Sequence, residues 1–438
     1  MPLCAGVALL LALVRPPIGR GPGRLVDVAL LLCLIGVASQ LIPLPASARE
    51  RLSPHGFAVD RVVAFGEEPA VHPPHPLSVD AESTQWALAL GAAYLGLFWC
   101  ARAIFSRGGV RSTVRGVATL GLALTALVAV QRATSPALLY WTWKPISAGA
   151  SPYGPFVNRN GLATWLAMSI PLVIGYLMAR HHSAHRADGG AIPGDSIDST
   201  QLWLGAAAIL MTGGLLASMS RAGILGGAIG LTAFIVFSRK RIRGGGSLVW
   251  LSAGLVVMVV MASAYANLGK LAMRLQETTE QGTWGRPAIW RDTWRMASDF
   301  WITGVGAGAF QRGMLVYQEG SRLFFFNHAH DEYLQLLAEG GVLVVVPAAV
   351  AVLAAAVLMA KRLDADRTAM FWVRAGAISG LIAVAVQSIW DTGLRMPANG
   401  ALFAVIAAMA LHDPRQASRS TGIKTPTRTP ESRARARL

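Results

Sequence analysis

The chain has 438 residues, 53% of them hydrophobic and only 14% charged, with a mean hydropathy of +0.47 and a formal net charge of +16. A soluble domain carries about 25% charged residues, so this composition excludes an ordinary soluble protein. The positive charge does not imply nucleic acid, because the basic residues lie between apolar runs and in the tail from Arg415, which holds seven Lys/Arg against one Glu. Cys4, Cys33 and Cys100 sit in or beside apolar segments and read as small buried hydrophobes, not as a disulfide framework or a metal set.

Apolar runs fall at 3–14, 26–44, 85–104, 116–132, 160–179, 201–218, 222–238, 247–267, 331–360, 371–390 and 396–412. Most are long enough to cross ~30 Å of hydrocarbon as helices. Backbone groups inside a bilayer must pair within their own helix. The expected fold is therefore an all-α polytopic membrane protein, with about 11 transmembrane helices (range about 10–12). The first run is short and reads as an anchor or first span, with no cleavable signal peptide. Residues 1–412 form the expected membrane domain, and 268–330 a large helical extracytoplasmic loop within it. Residues 413–438 form a basic tail whose Ser/Thr/Pro/Arg composition predicts disorder.

Placing that tail in the cytoplasm and alternating backwards puts "RPPIGRGPGR", "SRGGVRSTVR", "ARHHSAHRADGG", "SRKRIRGGG" and "KRLDADR" on the cytoplasmic side. These loops and the tail hold 22 of the 39 Lys/Arg, as the positive-inside rule requires. The outer side receives 45–84, 133–159, 268–330 and tight turns at 219–221 and 391–395. Its basic residues are the informative ones, since retention in the cytoplasm does not explain them.

In the outer segment, "GRPAIWRDTWRMASDFW" has helical periodicity. Ile289, Trp290, Thr293, Met296, Ala297 and Phe300 fall within about 80° of Arg286. Arg291, Arg295, Asp292 and Asp299 fall on the opposite half, with Arg295 at the spacing of surface pairs to Asp292 and Asp299. Arg286 on the apolar face needs a partner, either a protein carboxylate or an anionic ligand. Arg221, in the turn "SMSRAGILGG", must lie at the membrane surface, as a snorkelling arginine or as an anion contact. The glycines of "GVGAGAFQRGML" suggest flexibility or close backbone approach. They lack the βαβ context of a dinucleotide loop.

"FFFNHAHDEYLQLLAEGG" follows, from Phe324 to Gly341. On a helix beginning near His328, His330 would share a face with Tyr333, Leu334 and Leu337. His328, His330, Asp331 and Glu332 could hold a metal, although H-x-H spacing does not set both imidazoles on one helical face. They could equally be interfacial polarity, or His330 could serve as an acid/base group just above the bilayer.

"NHAHDEYLQLLAEGG" resembles the His-containing outer-loop motif of the O-antigen ligase-related membrane proteins, which include O-antigen ligases and polysaccharide polymerases. "SRAGILGG" is similar to that family's Ser-Arg motif. "GRPAIWRDTWRMASDFWITGVGAGAF" resembles its Arg-x-x-x-Trp helix and Gly-rich turn, and "FVNRNGLATWLAMSIPLVIG" the Asn-containing start of a central span. The motifs come in family order over about residues 150–360. The resemblance implies an inverting glycosyltransferase in the bacterial inner membrane, with its active site facing the periplasm or cell exterior. It would move a glycan from a polyprenyl-pyrophosphate donor to the hydroxyl of a lipid-A core sugar or of another lipid-linked glycan. It implies His330, Arg286 and Arg221 as catalytic residues. Arg221, Arg286, Trp290, Asp331 and Arg159 would contact substrate, with Arg159 given no specific role. The family often has Asn where this chain has Asp331, and Asp cannot donate the amide hydrogen bond.

Pyrophosphate is already a good leaving group, so the reaction chiefly needs charge neutralisation. Two guanidinium forks can supply that with no metal and no cofactor. Trp290 and Trp294 suit sugar stacking or interfacial anchoring. A small-solute or bicarbonate-type transporter is the rival. Its ionisable groups would be expected near the bilayer midplane, where only Glu339, before a potential helix interruption at "EGG", comes close. A structural membrane scaffold is a third class.

Overall fold

The computed structural model describes residues 18, 21–63, 74–145, 152–187, 198–239, 241, 286–319 and 325–413, with 184–187 described by backbone alone. The elements are helices α1 (Arg24–Ser39), α2 (Ala46–Leu52), α3 (Gly56–Val63), α4 (Ala81–Ser106), α5 (Val110–Thr134), α6 (Arg159–Ala187) and α7 (Ser199–Ala217). After them come α8 (Arg221–Ser238), α9 (Arg286–Asp299), α10 (Phe310–Tyr317), α11 (Glu332–Ala365) and α12 (Met370–Gln387). A 3-10 turn (Gly393–Arg395) and α13 (Pro397–Ala410) complete the described chain. Seven helices, α4, α5, α6, α7, α8, α11 and α12, are long and apolar enough to cross a membrane. Helix α13, at 14 residues, is apolar but shorter, and α1 has 16 residues. The described residues thus support a multi-pass helical membrane protein without fixing the count at eleven. The expected spans at 3–14 and 247–267, and residues 268–285 of the outer segment, lie outside the described residues.

The bundle is organised around α12. Its Gly376 and Gly380 face α6, where a Cβ would overlap the Pro171 and Met168 carbonyls. On its other side, Gly226 and Gly230 of α8 lie against the backbone of Ala383 and Ser379. Small residues four apart let helix backbones meet closely, which matters in a bilayer where apolar surface alone gives no drive to associate. The central position of α6 explains why residues 161–173 are buried without interruption. Cys100, read from sequence as buried, is instead exposed on α4, and Cys33 is half-buried.

Helix ends segregate as the alternation predicts. At one end Asp27 accepts from Arg102 (2.5 Å) and Trp99 (3.1 Å), Arg374 pairs with Asp366, and Arg180 pairs with Asp198. At the other end Gln40, after α1, reaches the Thr303 and Glu339 carbonyls, and the Glu332 N–H donates to Ser388 O (2.9 Å). Asn160, at the start of α6, meets Asp391, just past α12.

This second end carries a separate small core. Val59, Val79, Met296, Phe300, Val305, Phe310, Ala329 and Ala338 pack together there. The core is joined to the bundle through a break in α11 at Gly341 (φ 54°, ψ −164°). The "EGG" interruption foreseen in the sequence is therefore real. The break frees backbone groups, and the segment 301–306 takes them up. Val342 N–H donates to Trp301 O (2.8 Å), Val305 N–H to Ala338 O (2.9 Å), and Gly306 N–H to Glu339 O (3.1 Å). Gly304, also left-handed at φ 67°, lies so close that a Cβ would overlap the Glu339 carbonyl. Of the two readings of the glycine-rich turn, close backbone approach is the one observed.

Candidate functional site

The periodicity of α9 predicts its buried face well. Ile289, Thr293, Met296 and Ala297 are buried, as is Phe300 just beyond the helix. Asp292 departs from the expectation. It is 3% exposed, not solvated, because the chain after α10 returns over it and Glu319 N–H donates to its carboxylate (3.3 Å). Burial pushes its pKa up, and Arg291 and Arg295 oppose the shift. Arg291 and Arg295 are exposed, as expected, but their shared partner is Glu319. Asp299 instead accepts from Tyr317 Oη (2.6 Å).

The histidine segment is not helical, contrary to the sequence reading. Helix α11 begins at Glu332, and His330 is held at φ 55°. A left-handed backbone at a non-glycine residue costs on the order of 1 kcal/mol or more and persists only where surroundings enforce it. Those surroundings are specific. Ala329, wholly buried, has both peptide groups engaged: its N–H donates to Gln335 Oε1 (3.0 Å), and its carbonyl accepts from Trp290 Nε1 (2.9 Å). Gln335, also wholly buried, turns its amide nitrogen to His328 Nδ1 (3.3 Å) and Glu339 Oε1 (3.0 Å). The Ala329 bond fixes which way the amide faces, so His328 Nδ1 is the acceptor and its proton sits on Nε2. Asp331 caps α11, its Oδ1 accepting from Tyr333 N–H (2.9 Å) and Leu334 N–H (3.0 Å). Asp and Asn are about equally good in that position, so the departure from the family's Asn leaves this capping intact.

A buried ionic group lies beneath. Arg395, in the 3-10 turn, bridges Glu339 (Nη1 to Oε2 3.0 Å) and Glu332 (Nε to Oε1 3.3 Å). Glu332 and Glu339, seven apart, share a helical face. Their partner comes from more than fifty residues away, so local sequence could not reveal it. The same turn brings in Asp391, which is 5% exposed and accepts from Asn160 Nδ2 (3.4 Å) and Gln387 Nε2 (3.3 Å).

The electrostatics converge on His330. Burial holds its imidazole below the ordinary histidine range, the Arg286 guanidinium adds to this, and Asp391 opposes it. His328 is pushed down to about 4, chiefly by burial and then by Arg395, with Glu339 opposing and His330 adding to the shift. His330 Nδ1 is buried and has no hydrogen-bond partner among the described residues. Both rings are thus neutral near pH 7, a state in which one nitrogen can accept a proton. Burial also holds the Asp391 carboxyl above its usual range, against the hydrogen bonds it accepts.

The remaining sequence candidates sort by position. Arg286, expected on the apolar face of α9, is instead exposed, because it stands at the helix N-terminus, and it makes no ion pair among the described residues. Arg221 is exposed at the N-terminus of α8, whose first turn packs beside Ala163 and whose Gly226 meets Gln387. It therefore stands at the same end of the bundle as His330, although no direct contact joins them. Ser220 caps that helix through Gly223 N–H (3.3 Å). Arg159 is exposed at the start of α6, next to Asn160. Trp290 is half-buried with its indole N–H committed to Ala329, whereas Trp294 is 60% exposed. Sequence reasoning missed Gln335 and Arg395, weighed Glu332 only as a possible metal ligand, and gave Asp391 and Glu339 no part in this site. The i, i+7 carboxylates before an apolar run, and an arginine in a three-residue outer turn, were the available signals.

No curated protein matches this chain. The family described as O-Antigen ligase matches residues 206–349, a segment that includes Arg221, Arg286, Trp290, His330 and Asp331 and leaves out Arg159, Asp391 and Arg395. That match supports an O-antigen ligase-related family for this multi-pass membrane protein.

Proposed function

We propose that the protein transfers a glycan from a polyprenyl-pyrophosphate carrier to a sugar hydroxyl at the outer face of the bacterial inner membrane. One observation carries this reading: at a helix-bundle end, a neutral, partly buried imidazole whose Nδ1 has no hydrogen-bond partner among the described residues feels both Arg286, which makes no ion pair among those residues, and the buried Asp391 carboxyl. The concentration of basic loops at the opposite end supports an outward-facing site.

In the reaction, the acceptor oxygen attacks the anomeric carbon as the bond from that carbon to the pyrophosphate oxygen breaks. His330 takes the hydroxyl proton. The lipid pyrophosphate departs with the bonding electrons, and Arg286 and Arg221 neutralise its growing charge. Attack opposite the leaving group inverts the anomeric centre. Asp391 favours the imidazolium that forms, and Arg286 keeps the resting ring neutral. Arg159 lies where it could meet the donor or the acceptor, and the ring face of Trp290 remains available to a sugar. Asp331 serves substrate binding by setting where α11 begins. The chemistry asks for no metal and no cofactor.

The broken helix α11 and the buried Glu339 are features a carrier would use. Glu339 is already satisfied by Arg395 and Gln335, however, which leaves it no vacancy for a coupling ion. The test is transfer by purified protein in liposomes supplied with a fluorescent polyprenyl-pyrophosphate glycan. Arg221→Ala and Arg286→Ala should each lower the rate by about 10²–10³-fold while inserting normally. Full activity in either would remove the pyrophosphate clamp. Surface glycan in a deletion strain separates the two acceptors. Loss of long glycan from the lipid core indicates a ligase, and persistence of single repeat units indicates a polymerase.

A further inference from the structure

His330 is mounted on a peptide that is unusually well tied down. Ala329 is buried in the small outer core with Met296 and Ala338. Its two backbone groups are held by side chains from different helices: Trp290 of α9 on the carbonyl and Gln335 of α11 on the amide. Gln335 is itself braced by Glu339, which Arg395 fixes in turn. The Trp290 bond orients the peptide group that carries the His330 nitrogen, and so limits the ways in which the left-handed His330 backbone can relax.

We propose that Trp290 and Gln335 are positioning residues that clamp the two peptide groups flanking Ala329 and thereby hold the His330 imidazole in its buried orientation. The indole of Trp290 thus acts through its N–H on the protein's own backbone. This role is distinct from sugar stacking and rests on the functional reading only for its catalytic consequence. The charged and titratable groups facing His330 are Arg286 from α9, Asp391 from the turn after α12, and His328 on its own segment. Neither Trp290 nor Gln335 carries charge. The Trp290 indole N–H bonds to the Ala329 carbonyl and to no titratable group among the described residues, so an effect of Trp290→Phe on the titration of His330 comes from its position, whereas Gln335 also donates to His328 and Glu339.

The clamp is tested without reference to activity by diethylpyrocarbonate, which modifies an imidazole only when it is neutral and accessible. Modification of His330 is followed by peptide mass spectrometry across pH in the purified full chain. Trp290→Phe keeps the ring and loses the donor, and Gln335→Met keeps the volume and loses the acceptor. Each should speed modification of His330 by about fivefold or more, the equilibrium scale of one lost hydrogen bond. Each should also move its midpoint upward, toward that of an ordinary histidine. Trp301→Phe, at an exposed ring, should do neither. Because both bonds hold one residue, the double variant should fall short of the product of the single effects. Unchanged rate and midpoint in both single variants would overturn the clamp, as would effects that multiply in full. In the transfer assay both variants should lower kcat with KM for the donor little changed. If His330→Ala transfers normally, the catalytic reading fails while the modification result still decides the clamp. If His330→Ala is inactive and both clamp variants match the wild type in rate and pH profile, the clamp alone fails.

Discussion

The two cores of this molecule are held together by different means. In the bundle, α6, α8 and α12 meet backbone to backbone across Gly226, Gly230, Gly376 and Gly380. In the small outer core, cohesion comes from directional bonds: Trp290 and Gln335 to Ala329, Asp331 to the first turn of α11, Arg395 to two carboxylates. The first arrangement resists any added atom and specifies no side-chain orientation. The second fixes the orientation of particular groups at the expense of desolvating them. A buried ion cluster such as Glu332–Arg395–Glu339 is weak evidence of stability, and its place beneath the histidine segment suits a role in geometry. Helix α11 belongs to both bodies and is broken at Gly341, where one gives way to the other.

If that contrast holds, bundle variants should change how much folded protein exists, and outer-core variants should change how fast it works. The largest effect on the amount of folded protein is expected from Gly380→Val, whose side chain would overlap the Met168 carbonyl. Overpacking of this kind costs about 1–3 kcal/mol. Recovery of monodisperse protein after detergent extraction should fall several-fold, with transfer per folded molecule unchanged. Normal recovery would break the comparison. Asp391→Asn should act the other way, leaving recovery near normal while altering rate. Asp391 raises the His330 pKa, so its neutralisation should move the acid limb of the pH–rate profile to lower pH. An upward shift would contradict the placement of Asp391 beside His330.

A smaller effect concerns stability. The His328 pKa is about 4 in the folded protein, below the ordinary value of about 6.5. The unfolded chain therefore binds this proton more readily. Stability contributed by the neutral ring is complete above about pH 6.5 and is lost as pH falls toward 4. His328→Gln should flatten the thermal stability profile over that window. The smallest effect is expected for Arg291→Ala. This exposed residue pairs only loosely with Asp292 (3.8 Å) and Glu319 (3.9 Å) among the described residues, so transfer should stay within about twofold. Inactivity would mean that α9 presents a different face to substrate.

What the sequence made legible follows the same division. Apolar runs at 85–104, 116–132, 160–179, 201–218 and 222–238 became α4 to α8, with ends shifted by as much as the distance from 179 to Ala187, because each helix is specified by its own composition. Helix α9 and most of its buried face were legible for the same reason. Asp292 was not, since the segment that covers it arrives from Glu319. Asp391 and Arg395 joined the site through a turn more than fifty residues beyond His330, and periodicity carries no information about such pairings. The cap at Asp331 is local, yet helical periodicity carried back to His328 hid it, and the helix begins only at Glu332. The left-handed His330 was not, because its backbone is imposed by Trp290 and Gln335 and not by its own preference.

The central claim is that His330 accepts the acceptor's proton. The most direct measurement is the transfer rate of purified His330→Ala in liposomes, alongside binding of the same polyprenyl-pyrophosphate glycan. A loss of about 10²–10⁴-fold in rate, with donor binding retained, is the predicted result. Transfer at the wild-type rate would contradict it.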